Sequence, residues 1–293
     1  MQLLSILIDV VGPVVLIALV GFAWARRGAP FDPRFVSMMV TTVGTPSLVI
    51  DNLTHSGLKL SMLATIALAC VLCHATALAA GWLFLKAMRQ SVVVYLPALA
   101  FPNSGNMGLP LGLFAFGEAG LAFAIAFYAT ASLMQFTVGQ SIAAGGMNPG
   151  ALLRMPLVWA ITVAIALAVA GVQLPSIADR AIHILGGLMV PLMLLSLGYS
   201  LASLKTSSLK RATLFSLARL LGGFAIGWLV TSLLGLEGAA RGVVVMQSSM
   251  PSAVFNYMFA ERYGNKPEEV AGLVVLSTLL SILFLPVFLS TLI

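Results

Sequence analysis

Apolar stretches of about span length follow one another along nearly the whole chain, divided by short polar or glycine-rich joints. A bilayer core of ~30 Å takes about 20 helical residues to cross. Ten such stretches can be set down, at 3–25, 35–54, 62–85, 92–116, 121–143, 157–172, 181–203, 212–234, 240–260 and 270–292. Each reads as a helix, because lipid offers the backbone no hydrogen-bond partner outside its own segment. Spans 4 and 9 are broken near their middle by polar runs that contain proline. The first run is Phe101-Pro102-Asn103-Ser104-Gly105-Asn106-Met107-Gly108-Leu109-Pro110, the second Gln247-Ser248-Ser249-Met250-Pro251-Ser252. Backbone leaves the helix at such depth only where protein or a water-filled cavity surrounds it. Breaks at corresponding places in two halves point to the binding site of a secondary transporter.

The halves are spans 1–5 (residues 1–143) and 6–10 (157–293), divided by a Gly/Pro/Asn-rich joint at 144–156. Pro46 and Pro191 are related by an offset of 145, Pro110 and Pro251 by 141, and Phe116-Gly117-Glu118 corresponds to Phe259-Ala260-Glu261. Five spans is an odd number, so the second copy enters the bilayer upside down, as in inverted-repeat transporters. Span 4 reaches Asn103 after ~18 Å of helix and span 9 reaches Ser249 after ~15 Å. Both breaks therefore fall near the midplane, where two unwound segments can cross.

Composition agrees with this reading. Of 293 residues 60% are hydrophobic and 8% charged, with a mean hydropathy of +1.06, whereas a soluble domain carries about 25% charged residues. The net charge of +6 would suit nucleic acid as a partner, but its distribution follows topology instead. Loops after odd-numbered spans carry Arg26, Arg27, Arg34, Lys86, Arg89, Arg154, Lys205, Lys210, Arg211, Arg262 and Lys266; the opposite loops carry only Lys59, Arg180 and Arg241. Cytoplasmic loops hold the Lys/Arg excess, so both termini are expected outside. No basic segment precedes the first apolar stretch, which reads as a retained span.

Chemistry is expected where the breaks meet. Pro110 and Pro251 suit a first helical position, Ser248 and Ser249 suit caps of the second restart, and Gly105 and Gly108 allow close backbone approach. Two restarted helices would aim partial positive charge, roughly +0.5 each, at one spot. Such ends bind carboxylate or phosphate, and Asn103, Ser104, Asn106, Gln247, Ser248, Ser249 and Asn256 are the candidate substrate ligands. Arg219, inside span 8, either faces the site or snorkels to the cytoplasmic interface. Asp9, Asp51 and Glu118 read as groups at span ends; Asp51 is also a candidate for a coupling cation, and His74 reads as a packed polar residue, with titration or lining of the moving unit as the alternative. Cys70-Val71-Leu72-Cys73-His74 spells a haem attachment pattern, but it lies inside an apolar helix and reads as coincidence. Gly223 and Gly227 form a G-x-x-x-G pair with no evident partner, and Gln135 reads as an interhelical hydrogen-bonding group, with membership of the site as the alternative. Neither H-E-x-x-H nor G-x-S-x-G occurs, so an intramembrane enzyme is not expected.

Pro102-Asn103 with Met107-Gly108-Leu109-Pro110-Leu111 resembles the first crossover of the auxin efflux carrier family. Phe259-Ala260-Glu261-Arg262-Tyr263, followed by Pro267 and by Leu285-Pro286, resembles the stretch after the second. The resemblance implies an all-α integral membrane fold similar to sodium/proton antiporters, with a scaffold from spans 1, 2, 6 and 7. It implies a moving unit from spans 3–5 and 8–10, elevator-type alternating access, and a homodimer. It further implies a bacterial inner-membrane location and a small organic anion as substrate, a mono- or dicarboxylate such as malonate, with Asn103 as a carboxylate ligand and Pro110 and Pro251 as the crossing prolines. No cofactor or metal is expected, and a coupling ion, proton or sodium, is left open. The long central cytoplasmic loop of plant members is missing, and Asn256 stands where they often place a second proline, which favours a substrate more polar than an indole acid. The rival reading within the same fold is a cation/proton antiporter or a sodium-coupled symporter. The paired intramembrane aspartates of such an antiporter do not occur in either break.

Overall fold

The computed structural model describes residues 12–55, 60–146, 156–170, 172, 174–203 and 209–292. Asp9, Lys59, Arg154 and Lys205, with most of the expected joint between the halves, lie outside them. Among the described residues the chain is helical, and its one extended pairing is an isolated antiparallel bridge between Pro102 and Ser252.

The helices run as follows: α1 Gly12–Arg26, α2 Pro33–Met39 continuing through a π turn at Val40–Gly44 into α3 Thr45–His55, and α4 Leu60–Ala87. The first broken span comprises α5 Val92–Ala100, an extended link, a π turn at Ser104–Gly108, and α6 Leu109–Met134, which passes through a further π turn into α7 Gln140–Ala144. Then come α8 Pro156–Ala170, α9 Ser176–Gly187, α10 Met189–Ser203 and α11 Leu209–Leu233. The second broken span is α12 Gly238–Ser248 and α13 Val254–Tyr263, and α14 Pro267–Leu289 follows.

Five stretches among the described residues are long and apolar enough to cross a membrane: Ser61–Ala87, Ser104–Ala144, Ser176–Tyr199, Leu209–Leu233 and Pro267–Leu289. Other expected spans coincide with helices too short to qualify by length, or with the halves of a broken one. The 41-residue stretch Ser104–Ala144 would measure about 62 Å if straight, twice the thickness of the hydrocarbon core. It is not straight. Gly117 takes φ 65°, ψ −159°, a conformation open to glycine because it has no Cβ. The chain folds back there, and the backbones of Gly112 and Gly120 touch across the hairpin. Glu118 stands exposed at its tip.

Packing places helices in close pairs. Side chains added at Gly21 or Gly198 would strike the carbonyls of Leu195 and Ala18, so α1 and α10 meet backbone to backbone, the close approach that small residues permit in lipid. α3 packs on α8 and α9, α4 on α5 and α6, and α11 on α12 and α14. A continuous apolar cluster runs from Val40, Leu48 and Val49 through Ile66, Phe127 and Met189 to Val243 and Val244. It seats the two broken spans at the centre of the molecule.

Candidate functional site

Both broken spans unwind where proline prevents the helix from continuing, and the unwound pieces pair with each other. The Asn103 amide donates to the Pro251 carbonyl at 2.7 Å, and the Ala253 amide donates to the Phe101 carbonyl at 3.2 Å. These bonds flank the Pro102–Ser252 bridge. Pro102 has no N–H to satisfy, and the Ser252 amide donates to Ser277 Oγ at 3.1 Å. A short antiparallel crossing thus settles the backbone polar groups that lipid would leave unpaired.

The register differs from the sequence expectation. Pro251 lies opposite Asn103 in extended backbone, not at the start of a helix and not in correspondence with Pro110. Proline's fixed φ suits an extended link as well as a first helical turn, so composition alone does not decide between them. Pro110 does sit in the first turn of α6, but the chain has already re-entered helical geometry at Ser104. Ser248 and Ser249 do not cap the second restart either. Val254 opens that helix behind Ala253, without a side-chain cap. Ser249 Oγ instead donates backwards to the Met246 carbonyl at 2.8 Å, closing the end of α12.

Arg219 occupies the opposite pole. It is 3% exposed, which rules out snorkelling, and its guanidinium is spread over the C-terminal ends of both first half-helices. Nε donates to the Met250 carbonyl at 3.1 Å, Nη1 to Leu99 at 2.7 Å and to Ala100 at 3.5 Å, and Nη2 to the Ser248 carbonyl. The two helix ends carry roughly −0.5 each, which together offset the guanidinium charge. Gly223 and Gly227 provide the room. A Cβ at Gly223 would fall on the Ser248 carbonyl, and one at Gly227 would lie 2.8 Å from the Val245 Cα. The G-x-x-x-G pair is therefore the seat of α12 on α11, a partner that sequence could not identify.

The remaining candidates divide into bonded and unbonded groups. Asn256 is fully engaged: Nδ2 donates to the Phe101 carbonyl at 3.0 Å and to Ser252 Oγ at 3.1 Å, while Oδ1 accepts from Gln135 Nε2 at 3.1 Å. It braces the crossing and leaves no donor for a ligand. Gln247 is wholly buried, its Nε2 donating to the Ala124 carbonyl at 3.4 Å and its carboxamide lying against Gly108. Asn103 is 5% exposed and its Nδ2 has no partner. Ser104 and Gly105 are buried beside it in the turn, and Asn106 is half-buried. Gly105 faces Met193 of α10 and Tyr128 of α6, and Tyr128 reaches Thr45 of α3 at 3.4 Å. The sequence reading passed over this Thr45–Tyr128 pair, which places hydroxyls beside the restarted turn; the polar Thr45 next to Pro46 was the only available signal.

His74 lies in α4 with its ring between Phe101 and Phe127, at centroid distances of 5.4 and 5.8 Å. Cys70 and Cys73 are buried on the same helix as free thiols. Among the described residues no group of three or more His, Cys, Asp or Glu side chains is placed to hold a metal. Asp51 is not at the crossing; its Oδ2 meets His183 Nδ1 at 3.1 Å, between α3 and α9.

Comparison with known proteins bears on what such a crossing serves. Residues 143–289 match the profile of the family described as "Membrane transport protein". A protein named "Uncharacterized transporter" from Methanothermobacter thermautotrophicus is 29% identical over 270 residues, which cover 88% of this chain and 88% of that protein. A second uncharacterized transporter, from Methanocaldococcus jannaschii, is 28% identical over 198 residues, 62% of each chain.

Proposed function

Since the chain belongs to the membrane transport protein family, the auxin efflux carriers, we propose that it moves a small organic anion across the cytoplasmic membrane. It is an integral membrane protein, and membrane transport is what the family and its relatives share. The substrate class, the route and the topology are the proposal. The carboxylate rests at the N-terminal side of the crossing, on the turn that begins at Ser104 and on the start of α13, with Asn103 Nδ2 donating to it. The observation that carries this reading is the polarity of the crossing. Arg219 is spent on the C-terminal carbonyls of α5 and α12, so the positive ends of the restarted helices act without an opposing negative pole. Asn103 adds a buried donor with nothing to bond.

The topology proposed is ten spans in two inverted halves, with the basic loops inside and both termini outside. Helices α1, α2, α3, α8, α9 and α10 form the scaffold; α4 to α7 with α11 to α14 form the unit that carries the substrate past it. This division is supported by which helices pack together, and the Gly105–Met193 contact lies on the boundary. Binding then requires the two groups to part at Met193. Among the described residues no carboxylate lies at the crossing to hold an ion, which weighs against a cation-coupled reading.

The test is uptake into liposomes by purified protein, with a set of radiolabelled mono- and dicarboxylates that includes malonate. Wild type should accumulate at least one of them, chemically unchanged, and Asn103→Ala should not. Equal uptake by both proteins would remove Asn103 from the site, and uptake of none of the acids would refute the substrate class.

A further inference from the structure

His74, Arg219 and Ser248 line one small space that the transport reading does not use. It is a cavity of about 10 Å3, lined by His74 and Cys73 of α4, Arg219 and Gly223 of α11, Ser248 of α12, and Pro102. That volume suits one water molecule. His74 Nδ1 lies 2.8 Å from the Cys70 carbonyl. A carbonyl only accepts, so the ring hydrogen is on Nδ1, and Nε2 is a bare acceptor. Nε2 has no partner, and Ser248 Oγ has none but the weakly bonding Cys73 thiol beside it. Their residues are 2% and 4% exposed, so bulk solvent does not serve them. A guanidinium carries five N–H groups. Four carbonyls take one each, which leaves one hydrogen on Nη2.

We propose that this space is a single-water site, and that His74 is a positioning residue that holds the crossing through it. The water accepts from Arg219 Nη2, donates to His74 Nε2, and exchanges a hydrogen bond with Ser248 Oγ. Three bonds are typical of a buried water. Other occupants fit less well: a metal cation would sit beside the guanidinium, and an anion would face the carbonyl ends of two helices. The same geometry keeps His74 neutral. The titratable groups that face it are Cys70 and Cys73 on its own helix and Arg219 on α11. From α6 it meets Phe127, while Tyr128 turns to Thr45. On α5 the titratable group is Tyr95, bonded to Glu269, and on α12 it is Arg241, over the Trp228 ring. None supplies a negative charge to stabilise an imidazolium. His74 is thus an acceptor that ties α4 to the crossing, and not the carrier of a coupled proton.

The tests use the full chain in detergent or nanodisc and do not depend on the substrate. A density map that resolves other buried waters should show one within hydrogen-bond reach of His74 Nε2 and Ser248 Oγ; a dry cavity in such a map overturns the proposal. Nitrogen NMR of histidine-labelled protein should give the Nδ1–H tautomer for His74, unchanged on mild acidification and on adding sodium chloride. An imidazolium signal, or a sodium-dependent shift, overturns it. His74→Leu removes the acceptor and should lower the unfolding temperature by about 3 °C, the effect of roughly one hydrogen bond. His74→Gln, whose carboxamide oxygen can take the same water, should recover most of that loss. If Gln is no better than Leu, packing of the ring accounts for the effect and the positioning role fails.

Discussion

Replacing Arg219 by methionine isolates the clamp on the two helix ends. Methionine keeps much of the length and apolar bulk of the side chain and removes every donor. Three carbonyls, those of Leu99, Met250 and Ser248, lose a close charged partner. At about 2 kcal/mol for each buried acceptor left unpaired, the gross loss is about 6 kcal/mol. About 3 kcal/mol returns, because no charge has to be held near the bilayer centre. The net destabilisation is then about 3 kcal/mol, which in a chain of this size corresponds to a fall in unfolding temperature of about 9 °C. Fluorescence-monitored unfolding of the purified protein in detergent, with a size-exclusion profile to confirm monodispersity, measures it. Arg219→Lys should fall between, because an ammonium supplies three donors from one point and not five from a planar fork. If Arg219→Met unfolds with the wild type, the carbonyls have water or each other as partners, and the clamp has no energetic content.

Four further outcomes follow from the same geometry. Asn103→Ala should unfold within about 0.5 kcal/mol of wild type, since removing a buried Nδ2 that bonds nothing relieves its desolvation cost and offsets the packing lost, while binding and transport of the anion are lost. Asn256→Ala removes contacts to Phe101, Ser252 and Gln135 and should cost about 2–4 kcal/mol in the same unfolding assay. Gly223→Ala places a methyl on the Ser248 carbonyl; backbone cannot rotate away as a side chain does, so a loss of about 1–3 kcal/mol is expected, larger than for Gly222→Ala, which meets nothing. Cysteines at Pro102 and Ser252, in a background lacking Cys70 and Cys73, should form a disulfide on mild oxidation, because bridge partners stand about 4.5–5.5 Å apart at Cα; mass spectrometry that finds only free thiols would contradict the crossing.

How far the sequence led is best judged at single residues. The breaks at 101–110 and 247–252 were visible because proline, asparagine and paired serines interrupt runs that are otherwise apolar. Their register was not, because Pro102, Pro110 and Pro251 have the same φ preference whether they start a helix or lie in an extended link. The fate of Ser249 was equally hidden: a serine beside a helix boundary can bond forward to amides or back to carbonyls, and the choice depends on where the helix ends. Arg219 could be placed to within a turn along its span, but a long side chain can reach either pole from there. Glycines 223 and 227 announced a close contact without naming its partner, because the partner surface is the backbone of Val245 to Ser248 and leaves no trace in residue types. What sequence could not supply, in each case, was the direction in which a polar group turns.

That direction decides the selectivity proposed here. Four helix ends meet at the crossing, two carrying roughly +0.5 and two roughly −0.5. Left alone, they sum to nothing and have no preference for the sign of a ligand. A single fixed charge breaks the tie, and its effect depends on which pair of ends it joins. Arg219 joins the negative pair through Leu99, Ala100, Ser248 and Met250, which cancels that pole and leaves the positive pair for an anion. A carboxylate at the positive ends would do the reverse and leave the carbonyl ends for a cation. By this argument the solute's sign is set on the side of the crossing that it never touches, so exchanging the ligands around Asn103 should change which anion is carried, whereas only a change at Arg219 should weaken the preference for anions itself.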